Sequence, residues 1–254
     1  MSESAPLIIG ATGGSGTRVV ARLARRAGYN LGAALNEAED ALAFRSFHDT
    51  WINRFLPSEL QGRTLSQDIA AQMGQAFQAA LAGHLSSLGL TESRWGWKAP
   101  RTIYLLPFLR SRFPEFKFVH VIRDGRDMAF SKNQNQLRKH GGAVLSWRER
   151  WFNPRPLQSI LLWQRINLLA AAYGEAQMKE NYHRVRFEDL CDAPIKTTER
   201  LMQFLGVDFD AESVAREEIS PPGSIRRWRR ESPELVARLE RLGAVSLEKF
   251  GYLS

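Results

Sequence analysis

The sequence predicts an α/β fold in which a mostly parallel sheet lies between helical layers. Three observations carry this expectation. A short apolar run, Leu7 to Ile9, enters the glycine-rich turn Gly10-Ala11-Thr12-Gly13-Gly14-Ser15-Gly16-Thr17, after which Val19, Val20, Leu23, Ala24 and Ala27 recur at helical spacing as far as Gly28. Phe116 to Ile122 is rich in aromatic and β-branched residues and runs straight into Arg123-Asp124-Gly125-Arg126-Asp127. Strand-like and helix-like segments then alternate along the chain, which is the pattern of a parallel sheet with helices packed on it.

Each element has its own reason. Leu7 to Ile9 reads as a buried strand, and Tyr29 to Leu31 is a weak second candidate. Between about 38 and 92 no convincing strand appears; Ile69, Met73, Ala76, Phe77, Ala80 and Leu81 mark an amphipathic helix, so the segment from about 36 to 92 is expected to be mainly helical. A helix over Leu105 to Arg112 must stop before Pro114, because the residue preceding proline disfavours helical geometry. Residues 156 to 179 form a long helical zone, and Arg184 to Phe187 a short strand leading into Glu188-Asp189-Leu190. Pro194 suits a first helical turn, and Leu201, Met202 and Leu205 give that helix an apolar face up to Gly206. With no repeats, low-complexity tracts or linkers, residues 1–254 are expected to form a single domain.

Composition narrows the partners. At 44% hydrophobic and 24% charged residues the chain can bury a real core. Its net charge of +8 favours an anionic partner such as a nucleotide, a nucleic acid or a membrane surface. The run Arg226-Arg227-Trp228-Arg229-Arg230 is, taken alone, a solvated helix face. One cysteine, Cys191, excludes a disulfide framework or a four-cysteine zinc site and suits packing; with the five histidines scattered, no metal is expected. Residues 1 to 5 do not look like a secretory leader, and no apolar run approaches the ~18 to 20 residues that span a bilayer, so a cytoplasmic location is expected.

The glycine spacing alone fits either a dinucleotide loop or one that holds a phosphosulfate. Four segments together resemble the sulfotransferases that use 3′-phosphoadenosine 5′-phosphosulfate (PAPS). They are Gly13-Gly14-Ser15-Gly16-Thr17, Trp97-Lys98-Ala99-Pro100-Arg101, the stretch His120 to Ser131, and Arg186 to Leu190 with the helix that follows Pro194. The resemblance spans nearly the whole chain and implies a P-loop NTPase-like three-layer fold, PAPS as the sulfonate donor, and a hydroxyl or amine acceptor. Gly13, Gly14, Ser15, Gly16 and Thr17 would bind the 5′-phosphosulfate, Arg123 and Ser131 would grip the 3′-phosphate, and Lys98 would reach the bridging oxygen or the sulfonate. Ser224 to Arg229 resembles a segment that closes over the nucleotide, with Arg226 or Arg227 reaching the 3′-phosphate and Trp228 anchoring the loop. Asp124, Arg126 and Asp127 are expected to cap and pair around their turn.

The chain departs from this pattern at Gly14, where most members carry Lys or Arg. Arg18 either supplies that charge or points outward as an ordinary helix residue. For the base that takes the acceptor's proton, Glu37 is preferred, then Asp40, with His48 a lesser candidate; an acidic cluster at a helix start is also a common cap. The acceptors expected from the resemblance include a carbohydrate, a lipid-linked headgroup, a phenol or another small hydroxyl compound, with the choice shaped by residues of about 36 to 80. There, Phe44, Phe47, Trp51 and Phe55 suit core packing better than a pocket wall. A short-chain-dehydrogenase-like protein would need further strand–helix repeats and a Tyr-x-x-x-Lys pair, which is absent. A nucleotide kinase would need a loop lysine before Thr17. A nucleic-acid module has only charge in its favour. A catalytically inactive nucleotide-binding protein on the same fold is the variant that Gly14 leaves open.

Overall fold

Strands rich in branched and aromatic residues gather into one sheet in the computed structural model, which describes residues 5–89, 94–208 and 210–253. In chain order, β1 (Leu7–Gly10) leads through the glycine turn to α1 (Thr17–Arg26), α2 (Arg45–Leu60) and α3 (Gln67–Leu85). Then come β2 (Gly96–Lys98), α4 (Leu106–Arg112), β3 (Lys117–Ile122), α5 (Gly125–Ala129), α6 (Asn135–Val144), α7 (Trp147–Phe152) and α8 (Arg155–Tyr173). β4 (Tyr182–Arg186), α9 (Phe187–Asp192), α10 (Pro194–Leu205), α11 (Ala211–Glu218) and α12 (Pro233–Lys249) complete the described chain.

The sheet order is β2-β1-β3-β4 and every pairing is parallel, with Ile9 opposite both Lys98 and Val119, and Ile122 opposite Arg186. Alternate strand residues feed opposite faces, as the two-residue period of a strand requires. Ile8, Phe118 and Trp97 pack with Phe44, Phe77 and Leu106 on one face. Leu7, Ile9, Val119, Val121 and Val185 pack with Val20, Leu201 and Leu205 on the other. The result is three layers, as expected. The chain steps from β1 to β2 on one side and then to β3 on the other, and ligands of such sheets bind outside the strand carboxyl ends where this reversal occurs.

Several expectations need correction. β2 was not legible as a strand; it is three residues long, and Gly96 permits its approach to β1, since a Cβ there would lie 1.9 Å from the Leu7 carbonyl oxygen. Tyr29 to Leu31 supplies only a single bridge, Asn30 with Trp95. The long helical zone divides into α8, a π-turn over Gly174–Met178 and a 3-10 turn over Lys179–Asn181. The segment after α1 is helical as expected over α2 and α3, although Ile69 is exposed; its far end at 90–92 lies outside the described residues, as do residues 1–4 of the N-terminal stretch that does not read as a leader. No helix among the described residues is long and apolar enough to cross a membrane.

His120, fully buried in β3, ties the sheet to α8. Its Nδ1 lies 2.7 Å from the Tyr182 hydroxyl, which donates to it, and its Nε2 lies 2.8 Å from Asn167 Oδ1 and donates there. Burial pushes its pKa from 6.5 down to about 4. Above pH 6.5 the ring is neutral whether the chain is folded or not. Below that the unfolded chain takes up a proton that the folded one refuses, so stability falls as the pH drops toward 4. Between pH 7 and pH 5 this histidine is expected to account for a loss of about 2 kcal/mol. Urea unfolding at the two pH values checks it, with His120→Gln expected to shrink the difference by about that amount while the other histidines that burial holds low, His140 and His183 among them, keep the remainder.

Candidate active site

The turn after β1 is built to bring backbone close to a ligand. Gly14 and Gly16 have φ of +85° and +84°, the left-handed region that side-chain-bearing residues avoid. A Cβ on Gly16 would also lie 2.1 Å from the Phe187 ring. The Ser15 hydroxyl donates to the Thr12 carbonyl at 2.6 Å, so it braces the turn from inside instead of facing the cleft. Gly13, Gly14, Gly16 and Thr17 line the cleft at the start of α1, whose first turn holds no acidic residue. Free N–H groups and the helix dipole make this a favourable place for an anion.

That cleft has a volume of about 640 Å³. Lys98, at the carboxyl end of β2, enters it with a side chain only 2% exposed. Its Nζ donates to Asp40 Oδ1 at 2.5 Å and to the Ala38 carbonyl. Burial lowers the lysine's pKa and the Asp40 carboxylate opposes that, with a net result below the usual value. The loop carrying Asp40 is folded by Asn36, whose Oδ1 accepts from the Ala38 and Asp40 amides at 2.9 Å each, and it is pinned to β2 by the Ala41 amide donating to the Lys98 carbonyl at 2.9 Å.

This fold separates the neighbouring acids. Asp40 lines the cleft, whereas Glu37, the sequence's first choice as base, is exposed and is not part of the cleft wall. Glu39 is taken by Arg22 at 3.0 Å and Arg25 at 2.6 Å. Burial pushes the Glu39 carboxyl up, but those hydrogen-bonded guanidiniums outweigh it and hold the group below its usual range. Arg18 lines the cleft with its side chain half exposed and its Nε 4.0 Å from Glu39.

A second cluster forms beyond β3. Arg123 Nη2 donates to Asp127 Oδ2 at 2.9 Å and to the Ser224 carbonyl at 2.6 Å, while its buried Nε has no partner among the described residues. Asp127, 1% exposed, also accepts from the backbone amides of Arg226 at 2.8 Å and Trp228 at 3.3 Å. One carboxylate therefore docks the C-terminal segment against α5. Arg227 Nε donates to the Ser224 carbonyl at 3.1 Å; burial, then the nearby Arg123 cation, lower its pKa. Arg226 instead pairs with Asp192 at 2.7 Å. Trp228 stacks under Arg126, 3.9 Å from the guanidinium, and is the anchor the sequence implied.

Ser131 lies in the turn after α5 and not within that helix, because α5 ends at Ala129. Its hydroxyl accepts from the Asn133 amide at 3.2 Å and would be 3.4 Å from a Cβ on Gly14, which places it beside the glycine loop. Asp124 caps Arg126 as expected, accepting from its amide at 2.9 Å.

The far end of the cleft is basic and rich in amides. Arg45 and His48 of α2, Arg101, and Asn135, Arg138 and Lys139 of α6 contribute. Asp49 is shared by Arg101 and, at 2.6 Å, by Lys139. Gln136 is fixed by the Tyr104 hydroxyl at 2.8 Å and donates to the Ala11 carbonyl at 3.2 Å. His48 is 3% exposed, and burial holds its pKa well below 6.5, so its imidazole is neutral. Sequence reasoning missed the α6 residues; the amide-rich run Asn133-Gln134-Asn135-Gln136 was their signal. Phe44, Phe47, Trp51 and Phe55 are buried in the core and do not line the cleft. Cys191 is half-buried, its thiol pushed up to about 11 by burial. Among the described residues no cluster of His, Cys, Asp or Glu has the make-up of a metal site.

A family model described as "Sulfotransferase family" matches residues 12–211. No curated protein matches in sequence. Among solved structures, the chain is similar to a sulfotransferase from Alicyclobacillus acidocaldarius, with 17% identity over 95% of this chain and 96% of that one and a TM-score of 0.52. It is similar to the sulfotransferase domain of the Synechococcus PCC 7002 olefin synthase, with 17% identity over 100% and 98% and a TM-score of 0.55. It is also similar to the sulfotransferase STF9 from Mycobacterium avium, with 11% identity over 96% and 76% and a TM-score of 0.54. At such identities the structural likeness speaks for the fold.

Proposed function

The chain belongs to the sulfotransferase family, and on that premise we propose that it moves a sulfonate group from PAPS to a hydroxyl or amine of a polar, oxygen-rich acceptor. The observation that carries the donor assignment is the pair of anion sites on neighbouring strands. The glycine turn after β1 offers N–H groups at the start of α1, and beyond β3 the buried, unpartnered Nε of Arg123 lies close to the Arg227 cation. A buried guanidinium N–H without a partner is costly unless a ligand completes it. A nucleotide with phosphates at both its 5′ and 3′ positions suits two such sites. Ser131, whose hydroxyl lies beside the glycine loop, would donate to the 3′-phosphate in this reading.

In this reading the acceptor oxygen forms a new bond to sulfur as the bond from sulfur to the 5′-phosphate oxygen breaks. Lys98 and the amides of the glycine turn stabilise the charge that gathers on that leaving oxygen, and Arg18 supplies the cation missing at Gly14. Asp40, in the cleft wall beside Lys98, takes the acceptor's proton; Glu37 is too exposed for that role. The arginines of α2 and α6 and the amides of α6 support a carbohydrate or lipid-headgroup acceptor over a flat phenol, because they offer many hydrogen-bond donors.

Calorimetric titration with 3′-phosphoadenosine 5′-phosphate and with NADPH, followed by a mass-spectrometric screen for products gaining a sulfonate in the presence of PAPS, tests the proposal. Binding of the adenosine bisphosphate and a mass gain are expected. Binding of NADPH alone would overturn it.

A further inference from the structure

The short helix α7 belongs to no part of the cleft and carries an unusual surface. Trp147, Trp151 and Phe152 are 62%, 80% and 70% exposed. Single exposed apolar residues are ordinary, but three large aromatic rings within six residues form a patch that needs a partner. The Trp147 and Phe152 rings lie 6.4 Å apart, so they present one surface.

The charges beside the rings say what kind of partner. Arg148, Arg150 and Arg155 are exposed, and none pairs with a carboxylate among the described residues. Glu149 is the one acid from Ser146 to Pro156, and it is turned inward: its carboxylate accepts from Arg165 at 2.6 and 2.9 Å and closes the capping box with Ser146. The unpaired charges beside the exposed rings from Ser146 to Pro156 are thus all cationic. Tryptophan rings settle at the level of lipid headgroups, with one end apolar and the other wet, and arginines beside them are drawn to anionic lipid phosphates. A second copy of the chain fits poorly, because a symmetric contact would set arginine against arginine with no acid between them.

We propose that α7 docks this protein on an anionic lipid bilayer, with Trp147, Trp151 and Phe152 seated among the headgroups and Arg148, Arg150 and Arg155 on their phosphates. The docking stands independently of the reading of the cleft. It has a geometric consequence for it all the same: α6, whose first turns carry Arg138 and Lys139 of the cleft wall, ends three residues before α7 begins and is about 15 Å long.

Co-sedimentation of the full chain with vesicles of phosphatidylcholine and phosphatidylglycerol at 7:3, and with vesicles of pure phosphatidylcholine, tests this. The wild type is expected to bind the anionic vesicles at least tenfold more strongly than a Trp147→Ser/Trp151→Ser/Phe152→Ser variant. An Arg148→Gln/Arg150→Gln/Arg155→Gln variant is expected to lose the preference for anionic vesicles and the dependence on salt. Unchanged far-ultraviolet circular dichroism and thermal midpoint establish that both variants are folded. Absence of binding to the anionic vesicles, equal binding by the aromatic variant, or a wild-type dimer in light scattering that the aromatic variant abolishes would each overturn the proposal, the last by assigning the patch to a second copy.

Discussion

Replacing Lys98 with alanine is expected to cut sulfonate transfer by about 10²- to 10³-fold while leaving affinity for 3′-phosphoadenosine 5′-phosphate within a few-fold. The lysine is nearly sealed from solvent, and a cation in such a site acts on developing charge far more strongly than one in water. Its resting partners are Asp40 and the Ala38 carbonyl, so its loss does not dismantle the Arg123–Asp127 cluster beyond β3 that is proposed to hold the 3′-phosphate. Lys98→Arg is expected not to restore turnover, because the planar guanidinium cannot replace a compact ammonium in a space this tight. Single-turnover measurement at saturating donor separates chemistry from binding. Unchanged turnover in Lys98→Ala would remove the lysine from the mechanism.

Arg123→Ala is expected to produce the complementary loss. Affinity for the adenosine bisphosphate should fall by about 10²-fold or more, since a charge-assisted contact with the 3′-phosphate disappears. Stability should fall with it, by about 3 kcal/mol, because Asp127 is left as a buried charge without its cation. Asp127→Asn distinguishes contact from positioning. It keeps Arg123 while weakening the hold on the amides of Arg226 and Trp228, so nucleotide affinity should fall by a smaller factor. Calorimetry on the two variants, with urea melts to place their stabilities, checks the order. If Asp127→Asn cost more affinity than Arg123→Ala, the 3′-phosphate would have to be held elsewhere.

How much of this could be read beforehand depended on where each signal resides. Leu7–Ile9 and Phe116–Ile122 were legible because central parallel strands are buried on both faces and therefore read as continuous apolar runs. β2 was not, because its three residues set a tryptophan between a glycine and a lysine and its strand character exists only through pairing with β1. Lys98 itself was found by resemblance, since nothing local reveals that a lysine beside Pro100 is buried. The preference for Glu37 over Asp40 reversed for a similar reason: the two lie three residues apart, and only the Asn36 turn and the backbone bond from Ala41 to Lys98 decide which faces inward. The polar far wall of the cleft draws on α2, α6 and the segment after β2, so its composition is tertiary and no window of sequence contains it. Asp127 was read as a local cap, which its sequence neighbours suggest, while its main partners at Arg226 and Trp228 are 99 and 101 residues away.

That separation bears on the order in which the molecule is completed. Bringing Arg123 to the Ser224 carbonyl closes a span of 101 residues, and contacts of such length tend to form after local strands and helices are in place. A partly folded chain can have its glycine turn ready and still lack half of the proposed nucleotide site. On the proposed function, nucleotide binding is therefore an assay for the finished fold, and the nucleotide would act as a folding ligand: it would favour only those molecules whose C-terminal segment has found Asp127, and stabilise them in proportion to the logarithm of its concentration.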